Sequence, residues 1–176
     1  PPVRYILGAR MRRQKEVSET VLRTDGPWQE VYPERTIRKD PAPLKVREVV
    51  VEGRRYIVCL NEEERRKDAQ DRVAIVAHLR QQLKQGDKSL VGNKGYRRYL
   101  KREGVGHFAV DEARLPSEAR FDGLWVLRTN TTLTTATVAL RYKELWRVER
   151  LIRDTKTLVR TRPIYHKLDE TIRGHV

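Results

Sequence analysis

The segment 134–160 constrains the fold most strongly, because its apolar residues recur at the spacing of one long α-helix. On a helical wheel with Glu149 at the origin, four apolar or aromatic residues fall within roughly 60° of it. They are Val138, Tyr142, Leu145 and Ile152. The carboxylate of Glu149 is therefore predicted to point to the middle of the apolar face. A carboxylate on a buried face is costly unless it is paired, hydrogen-bonded or bound to a cation.

The spacing allows two interpretations of Glu149. In the first, Glu149 forms an ion pair with Arg153, one turn further on and to one side of the apolar face. In the second, the carboxylate is a ligand of a metal ion, and Lys156, two turns further on along the same line, lies near a bound phosphate. The helical spacing fits both interpretations equally.

The charge balance indicates a polyanionic partner. The 176 residues include 38 Lys and Arg against 24 Asp and Glu, which gives a net charge of +14. Nucleic acid is the simplest such partner, because neutralising its phosphates releases counterions. The alternative is a generally basic protein whose Arg content reflects composition alone.

The cysteine count and the apolar patterning exclude several classes of protein. Cys59 is the only cysteine, which excludes a disulfide framework and a cysteine-based zinc site. Its context, YIVCLN, predicts a small buried apolar residue. No apolar run approaches the length of about 18 residues that a membrane helix needs, and no signal-peptide pattern opens the chain. We therefore expect a soluble, cytoplasmic protein with no membrane partner.

The middle of the chain predicts a hairpin followed by a helix. β-Branched and aromatic residues flank Gly53 on both sides, which predicts a hairpin over 45–60. Asn61 is placed to cap a helix over 62–84, and Glu64 is placed to complete a capping box. The apolar stripe predicted for this helix comprises Ala69, Val73, Val76, Leu79 or Arg80, and Leu83.

Shorter elements are predicted around this pair. Residues 3–9 predict a buried strand, 14–22 a helix with Val17, Val21 and Leu22 on its apolar side, and 28–32 a brief strand. Two strands are predicted over 107–115 and 121–129, separated by Pro116 and Ser117. Asp122 is assigned to turn chemistry, not to catalysis, because Asp-Gly before a strand is typical of a turn. Thr134 is predicted to be the N-cap of the long helix.

Aromatic and cationic residues are interleaved between residues 88 and 102. Tyr96, Arg97, Arg98 and Tyr99 form the centre of this segment. A nucleic-acid surface uses such residues, with rings against bases or sugars and cations against phosphates. Two tyrosines three residues apart are equally suited to anchoring a short helix, and the sequence leaves both interpretations open.

Several motifs resemble one family of enzymes. Within the long helix, Tyr142, Trp146, Arg147, Val148, Glu149 and Lys156 form the pattern Y-x(3)-W-R-V-E-x(6)-K. This pattern resembles the Tyr-Arg-Glu-Lys signature of bacterial insertion-sequence transposases of the DDE type. Three further motifs match in order: YILGAR at 5–10, DGLWVLRTN at 122–130 and RPIYH at 162–166. The signature usually has Arg three residues after its Tyr, where this chain has Leu145, while Arg147 keeps a guanidinium nearby on another face.

The resemblance implies a ribonuclease-H-like catalytic domain in which two Asp and one Glu hold two divalent metal ions. Glu149 matches that Glu, which makes it the implied catalytic residue and metal ligand. Hard oxygen ligands suit Mg²⁺ or Mn²⁺. The residues expected to contact double-stranded DNA at the transposon ends are Tyr142, Arg147, Arg153, Lys156, Tyr96, Arg97 and Arg98. A homodimer is one expectation for the full-length enzyme.

The same resemblance implies a division of the chain. Residues 1–10 and 122–176 are expected to form the C-terminal part of the ribonuclease-H-like domain, and 11–121 a mixed β/α insertion. The expected fold class is α/β, an incomplete ribonuclease-H-like domain interrupted by this insertion. Both catalytic Asp are expected upstream of Pro1, so the metal site needs them and the chain alone should be inactive. Strands over 3–9 and 124–129 are then expected to lack neighbouring strands.

Two functions of different classes follow. The first is DNA transposition, with this chain as part of a metal-dependent bacterial enzyme that cleaves and joins DNA at transposon ends. The second is a non-catalytic basic DNA-binding module, or a decayed transposase remnant. The first requires the carboxylate of Glu149 for DNA cleavage. The second requires only DNA binding that weakens steeply with salt.

Overall fold

A computed structural model describes residues 3–85, 96–104 and 107–158, and for residues 85, 146, 147, 149, 150 and 156–158 it describes the backbone only. Within these ranges the protein is mixed α/β, with a mostly antiparallel sheet and several helices. The chain divides into two compact units, Pro1–Ala139 and Leu140–Val176. Across the described ranges, no helix is both long enough and apolar enough to cross a membrane.

The elements follow one another in this order. The strands are β1 (Ile6–Ala9), β2 (Gln29–Tyr32), β3 (Leu44–Val51), β4 (Arg54–Leu60), β5 (Leu100–Arg102), β6 (Phe108–Val110) and β7 (Leu124–Thr129). The helices are α1 (Glu16–Val21, with π-helical hydrogen bonding), α2 (Glu62–Gln85), α3 (Arg114–Ala119) and α4 (Thr135–Leu158). A 3₁₀ turn, Arg97–Tyr99, precedes β5.

Five strands form one sheet in the order β1-β7-β4-β3-β2, and each neighbouring pair is antiparallel. The hairpin predicted over 45–60 is confirmed as β3 and β4. Its two-residue turn has positive φ at both Glu52 (47°) and Gly53 (73°), the geometry that matches the twist of the flanking strands. The strand predicted over 28–32 is confirmed as β2.

Strand β7 has a hydrogen-bonded neighbour on each edge, β1 on one side and β4 on the other. In the β4–β7 register, Val58 pairs with Val126 and Ile57 with Leu127, and all four side chains are buried. The expectation that 124–129 lacks neighbouring strands is therefore wrong. The reason is that the hairpin, assigned to the insertion, adds β4 directly to this strand.

Strand β1 lies at the edge of the sheet and is shorter than the strand predicted over 3–9. Leu7 is 56% exposed and Val3 is 82% exposed, so the prediction of a buried strand is wrong. An edge strand in this sheet gains hydrogen bonds from β7 on one side alone, and its side chains are only partly covered. Apolar composition predicted the strand but not its place at the edge.

Apolar side chains cover both faces of the sheet. On one face, α1 packs against the strands in a cluster of Val17, Val21, Val49, Tyr56, Val58 and Val126. The helix predicted over 14–22, with Val17 and Val21 inward, is confirmed. On the other face Val46, Ile57, Cys59 and Leu127 are fully buried, as predicted for Cys59. Each such buried side chain contributes about 1.5–3 kcal/mol of hydrophobic stabilisation.

Helix α2 begins with the predicted cap. The side-chain Oδ1 of Asn61 accepts hydrogen bonds from the backbone N–H groups of Glu63 (2.9 Å) and Glu64 (3.2 Å). The predicted capping box does not form. The Asn61 N–H donates instead to the carbonyl of Gly123 (2.9 Å), and the Glu64 carboxylate lies 3.8 Å from the Lys67 ammonium. This backbone bond ties the start of α2 to the turn before β7.

The inward face of α2 differs in one position from the predicted stripe. Val76 and Leu79 are buried as predicted, but Val73 is 71% exposed. The neighbouring Arg72 faces inward instead and forms a 2.5 Å ion pair with the buried Asp122. The apolar pattern missed this because an Arg can face the protein body when a carboxylate there pairs with it.

The predicted strand over 107–115 is only partly confirmed. Strand β6 covers Phe108–Val110 and pairs with β5, whereas Arg114–Ala119 forms α3. Pro116 lies in the first turn of that helix, where its missing N–H has no helical partner to lose. The residues that pack between α2 and this region are Val76, Leu79, Tyr99 and Val110, with Ile75, Leu83, Tyr96, Leu100 and Leu115 around them.

We expect Gly123→Ala to lower the free energy of unfolding by about 3 kcal/mol. Gly123 has a φ of +62°, and a Cβ added there would lie 2.4 Å from the carbonyl oxygen of Asn61 and 2.6 Å from the amide nitrogen of Arg65. Urea unfolding measures the change. Gly26→Ala is the control, because a Cβ there meets no atom within 4 Å. Equal stabilities for the two variants would contradict this account of the turn.

Candidate metal and nucleic-acid site

The motif segments 5–10 and 122–130 lie side by side. Strands β1 and β7 pair over Ile6↔Thr129 to Ala9↔Val126. Beyond the pair, the Asn130 side chain accepts a hydrogen bond from the Tyr5 N–H (2.9 Å) and donates one to the Val3 carbonyl (2.8 Å). The Thr129 hydroxyl donates to the Tyr5 carbonyl (2.7 Å) although the two residues are 124 positions apart.

Helix α4 follows β7 after a short loop and begins with the predicted cap. The Thr134 hydroxyl accepts a hydrogen bond from the Thr137 N–H (3.3 Å), and the Thr134 carbonyl accepts the Val138 N–H (3.0 Å). The helix is then continuous over Thr135–Leu158. The long helix predicted over 134–160 is therefore confirmed across the residues of that segment that the structure describes.

Two charged residues of the hairpin hold the start of α4. The Arg55 guanidinium donates to the carbonyls of Thr131 (2.9 Å) and Leu133 (2.8 Å) and to Oε2 of Glu48 (2.6 Å). The same Glu48 oxygen accepts a hydrogen bond from the Thr135 hydroxyl (3.2 Å). We call these five residues the helix-start network. The network connects two neighbouring strands, the loop after β7 and the first residue of α4.

The helix-start network keeps Glu48 ionised. The hydrogen bond from Arg55 is the largest influence and lowers the pKa of Glu48, and the Arg55 charge and the Thr135 hydroxyl act in the same direction. Partial burial acts in the opposite direction and is outweighed. The ionised carboxylate is the form that accepts both hydrogen bonds.

Along α4 the predicted apolar face is buried at its start and partly exposed later. Val138 is fully buried and Tyr142 is half-buried, but Leu145 and Ile152 are 48% and 49% exposed. The expectation of a continuously buried face is therefore wrong at the last two positions. Periodicity identifies the apolar side of a helix but not what covers it.

The predicted site residues on α4 are described unevenly. Arg153 is exposed. The side chains of Glu149, Arg147 and Lys156 lie outside the described part of the structure, and so does the RPIYH motif at 162–166. The roles of these residues stay predictions.

The 3₁₀ turn places the second group of predicted DNA contacts. Tyr99 is 6% exposed within the cluster around α2, and the Tyr96 ring lies 5.9 Å from the His78 ring. Both tyrosines thus anchor the turn to the helix, which was one of the two interpretations. Arg97 and Arg98 are exposed, and the Arg98 guanidinium lies 5.8 Å from the centre of the Tyr99 ring.

A cavity of about 380 Å³ lies beside this turn, between α2, α3 and the start of β7. Its charged side chains largely neutralise one another. Arg12 pairs with Glu118 (2.8 Å), and Arg72 pairs with Asp122, which raises the pKa of Arg72. The paired Asp122 supports its assignment to the turn and not to catalysis. The cavity is therefore not a cationic pocket suited to a phosphate.

The described residues do not by themselves fit a divalent metal site. Among them, no three His, Cys, Asp or Glu side chains lie close enough together to hold a metal ion. A single carboxylate such as Glu149 cannot hold two divalent ions, which need several oxygen ligands each. Any such site would need carboxylates in addition to those described.

Glu48 and Arg55 were not singled out from the sequence, although a signal was present. A two-residue turn at 52–53 fixes the pairing of Val50 with Arg55, and this places Glu48 diagonally across from Arg55 on the same face. Opposite charges at such positions predict an ion pair. Their hydrogen bonds to the loop after β7 could not be predicted, because that loop is distant in sequence.

The chain was compared with protein-family models, with curated proteins and with solved structures, and none of the three comparisons finds a significant match. A functional proposal therefore depends on the motifs and on the geometry described above.

We expect the stability advantage of the wild-type chain over Glu48→Gln to be present above pH 4.5, the ordinary pKa of this carboxyl, and to be lost as the pH falls further. The sign follows because the folded pKa is lowered, so protonation weakens the folded state. Urea unfolding at a series of pH values measures this. Gln at the exposed Glu30 is the control, and an advantage independent of pH would contradict the assigned role of the carboxylate.

Proposed function

We propose that this chain is the C-terminal part of an insertion-sequence DDE transposase and acts in DNA transposition. The observation that carries the proposal is the pairing of the two motif strands, β1 and β7, directly before the helix that holds Glu149. The motifs at 5–10 and 122–130 are far apart in sequence, yet they meet in one antiparallel pair. A likeness confined to isolated letters has no reason to produce that arrangement.

The proposed domain is ribonuclease-H-like, with residues 11–121 as an insertion between β1 and β7. Strand β4 from within this range pairs with β7 over Arg55↔Thr129 to Leu60↔Leu124. The proposed insertion therefore extends the sheet of the domain, and its hairpin buries the apolar faces that the two motif strands would otherwise expose. This supports an insertion that is built into the domain.

In the proposed enzyme, Glu149 supplies one oxygen ligand to the divalent metal ions, Mg²⁺ or Mn²⁺. Bound ions of this kind activate the attacking oxygen and stabilise the leaving oxygen in phosphoryl transfer. The other two carboxylates of the triad have to come from residues outside this chain. No reaction step is therefore assigned to the chain alone.

Cationic residues would hold the DNA through its phosphates. Lys156 and Tyr142 match signature positions, and Arg147 and Arg153 lie on the same helix. The exposed Arg97 and Arg98 present two further cations on the 3₁₀ turn. A Lys ammonium acts on a phosphate as a point charge, whereas an Arg guanidinium can donate two parallel hydrogen bonds.

The net charge of +14 also favours a second function of a different class, a non-catalytic DNA-binding module. Such a module needs the cations but not the carboxylate of Glu149. Its binding constant should fall with salt on a log–log plot at about 0.9 per phosphate neutralised. The two functions therefore differ in whether Glu149 matters.

We expect Glu149→Ala in the full-length protein to reduce Mg²⁺-dependent cleavage of transposon-end DNA by more than about 1,000-fold, the scale of losing an essential catalytic group. DNA affinity, measured by fluorescence anisotropy, should stay unchanged. Glu144→Ala is the matched control, because Glu144 lies on the same helix and is exposed. If the Glu149 variant still cleaves, the transposase assignment fails. Salt-steep binding without cleavage by any variant would favour the second function.

A further inference from the structure

The start of α4 is fixed by side-chain hydrogen bonds in addition to the chain connection. Arg55 bridges two loop carbonyls, those of Thr131 and Leu133, at 2.9 and 2.8 Å. The loop is also held from within, since the Thr131 N–H donates to the Thr129 hydroxyl (3.1 Å). Together these bonds leave the loop little freedom to change the direction in which the helix begins.

Both anchors of the network belong to the sheet. Arg55 lies on β4 and Glu48 on β3, and Glu48 accepts hydrogen bonds from both Arg55 (2.6 Å) and the Thr135 hydroxyl (3.2 Å). The planar guanidinium fork can reach two carbonyls and a carboxylate at once, which an ammonium group on a flexible stem cannot do with the same geometry. The first residue of α4 is therefore connected to two adjacent strands.

We propose that Arg55 and Glu48 are positioning residues of the transposase, which set the direction of α4 and thereby the location of the Glu149 carboxylate. This inference rests on the proposed function. Neither residue is part of the signature, and neither is proposed to touch metal or DNA. They act through the helix that carries the catalytic carboxylate.

The length of α4 makes this role sensitive to small errors. Glu149 lies 14 residues beyond Thr135, which corresponds to about 21 Å along a helix that rises about 1.5 Å per residue. A change of about 5° in the direction of the first turn would then displace residue 149 by about 2 Å. A misplacement of about 1 Å in a catalytic group can reduce a rate by about 100-fold.

The test is Arg55→Lys in the full-length enzyme, with Arg54→Lys as the matched control. Arg54 is the adjacent residue of the same strand and pairs with Glu16 (3.1 Å) and with Glu52, away from the helix-start network. We expect Arg55→Lys to lower kcat for DNA cleavage by about 10–100-fold with KM and the urea unfolding midpoint unchanged. The control should stay within about twofold of the wild type.

A second pair of variants covers the case in which Arg55→Lys destabilises the protein. Thr135→Val removes the hydroxyl that donates to Glu48, and Thr135→Ser keeps it. We expect the Val variant to lose rate and the Ser variant to retain it, at equal unfolding midpoints. Equal rates for the two would overturn the positioning role, as would an Arg55→Lys variant with wild-type kcat.

A readout without catalysis separates this inference from the proposed function. Spin labels at residues 30 and 144, both exposed, report the distribution of distances between the sheet and α4. Arg55→Lys should broaden that distribution and Arg54→Lys should not. An unchanged distribution overturns the inference, even if Glu149→Ala abolishes cleavage. If Glu149→Ala still cleaves, the proposed function fails, and the label distances still decide whether Arg55 orients the helix.

Discussion

The two-sided pairing of β7 is the constraint on which the rest of the structure depends. Its backbone bonds to β1 on one edge and to β4 on the other, so the two ends of the segment 6–129 and the hairpin between them form one sheet. The turn before β7 also docks on the start of α2, where Gly123 approaches Asn61 too closely for any side chain. The loop after β7 leads into α4. Removing β7 would therefore disconnect both long helices from the sheet.

Ionic contacts organise this basic protein more than its net charge of +14 suggests. Arg72 with Asp122 and Arg12 with Glu118 close the cavity beside α2, and Arg55 with Glu48 holds the start of α4. Each of these pairs has one member that is at least partly buried, so the loss of one partner leaves a charge in a poor environment. Charge excess gives the class of the partner, but the paired residues show that individual arginines also have structural roles.

Local patterns predicted the elements better than their neighbours. The hairpin turn at Gly53, the Asn61 cap, the Thr134 cap and the buried Cys59 were all predictable, because each depends on a few adjacent residues. The helix over Arg114–Ala119 was missed because Pro116 also fits a turn. The inward Arg72 was missed because its partner lies 50 residues away. The same limit applies to the candidate site, whose helix was predicted while the residues that hold it were not.

The sequence by itself determined the periodicity of the long helix, the side of it that carries Glu149, the basic character of the chain and the order of its motifs. These properties follow from residue types and short spacings. The tertiary structure alone decided that β1 and β7 pair, that the hairpin joins their sheet and that Arg55 and Glu48 meet the start of α4. Such contacts form between residues far apart in the chain, because burial and hydrogen bonding in the folded state select them together and no local pattern records them.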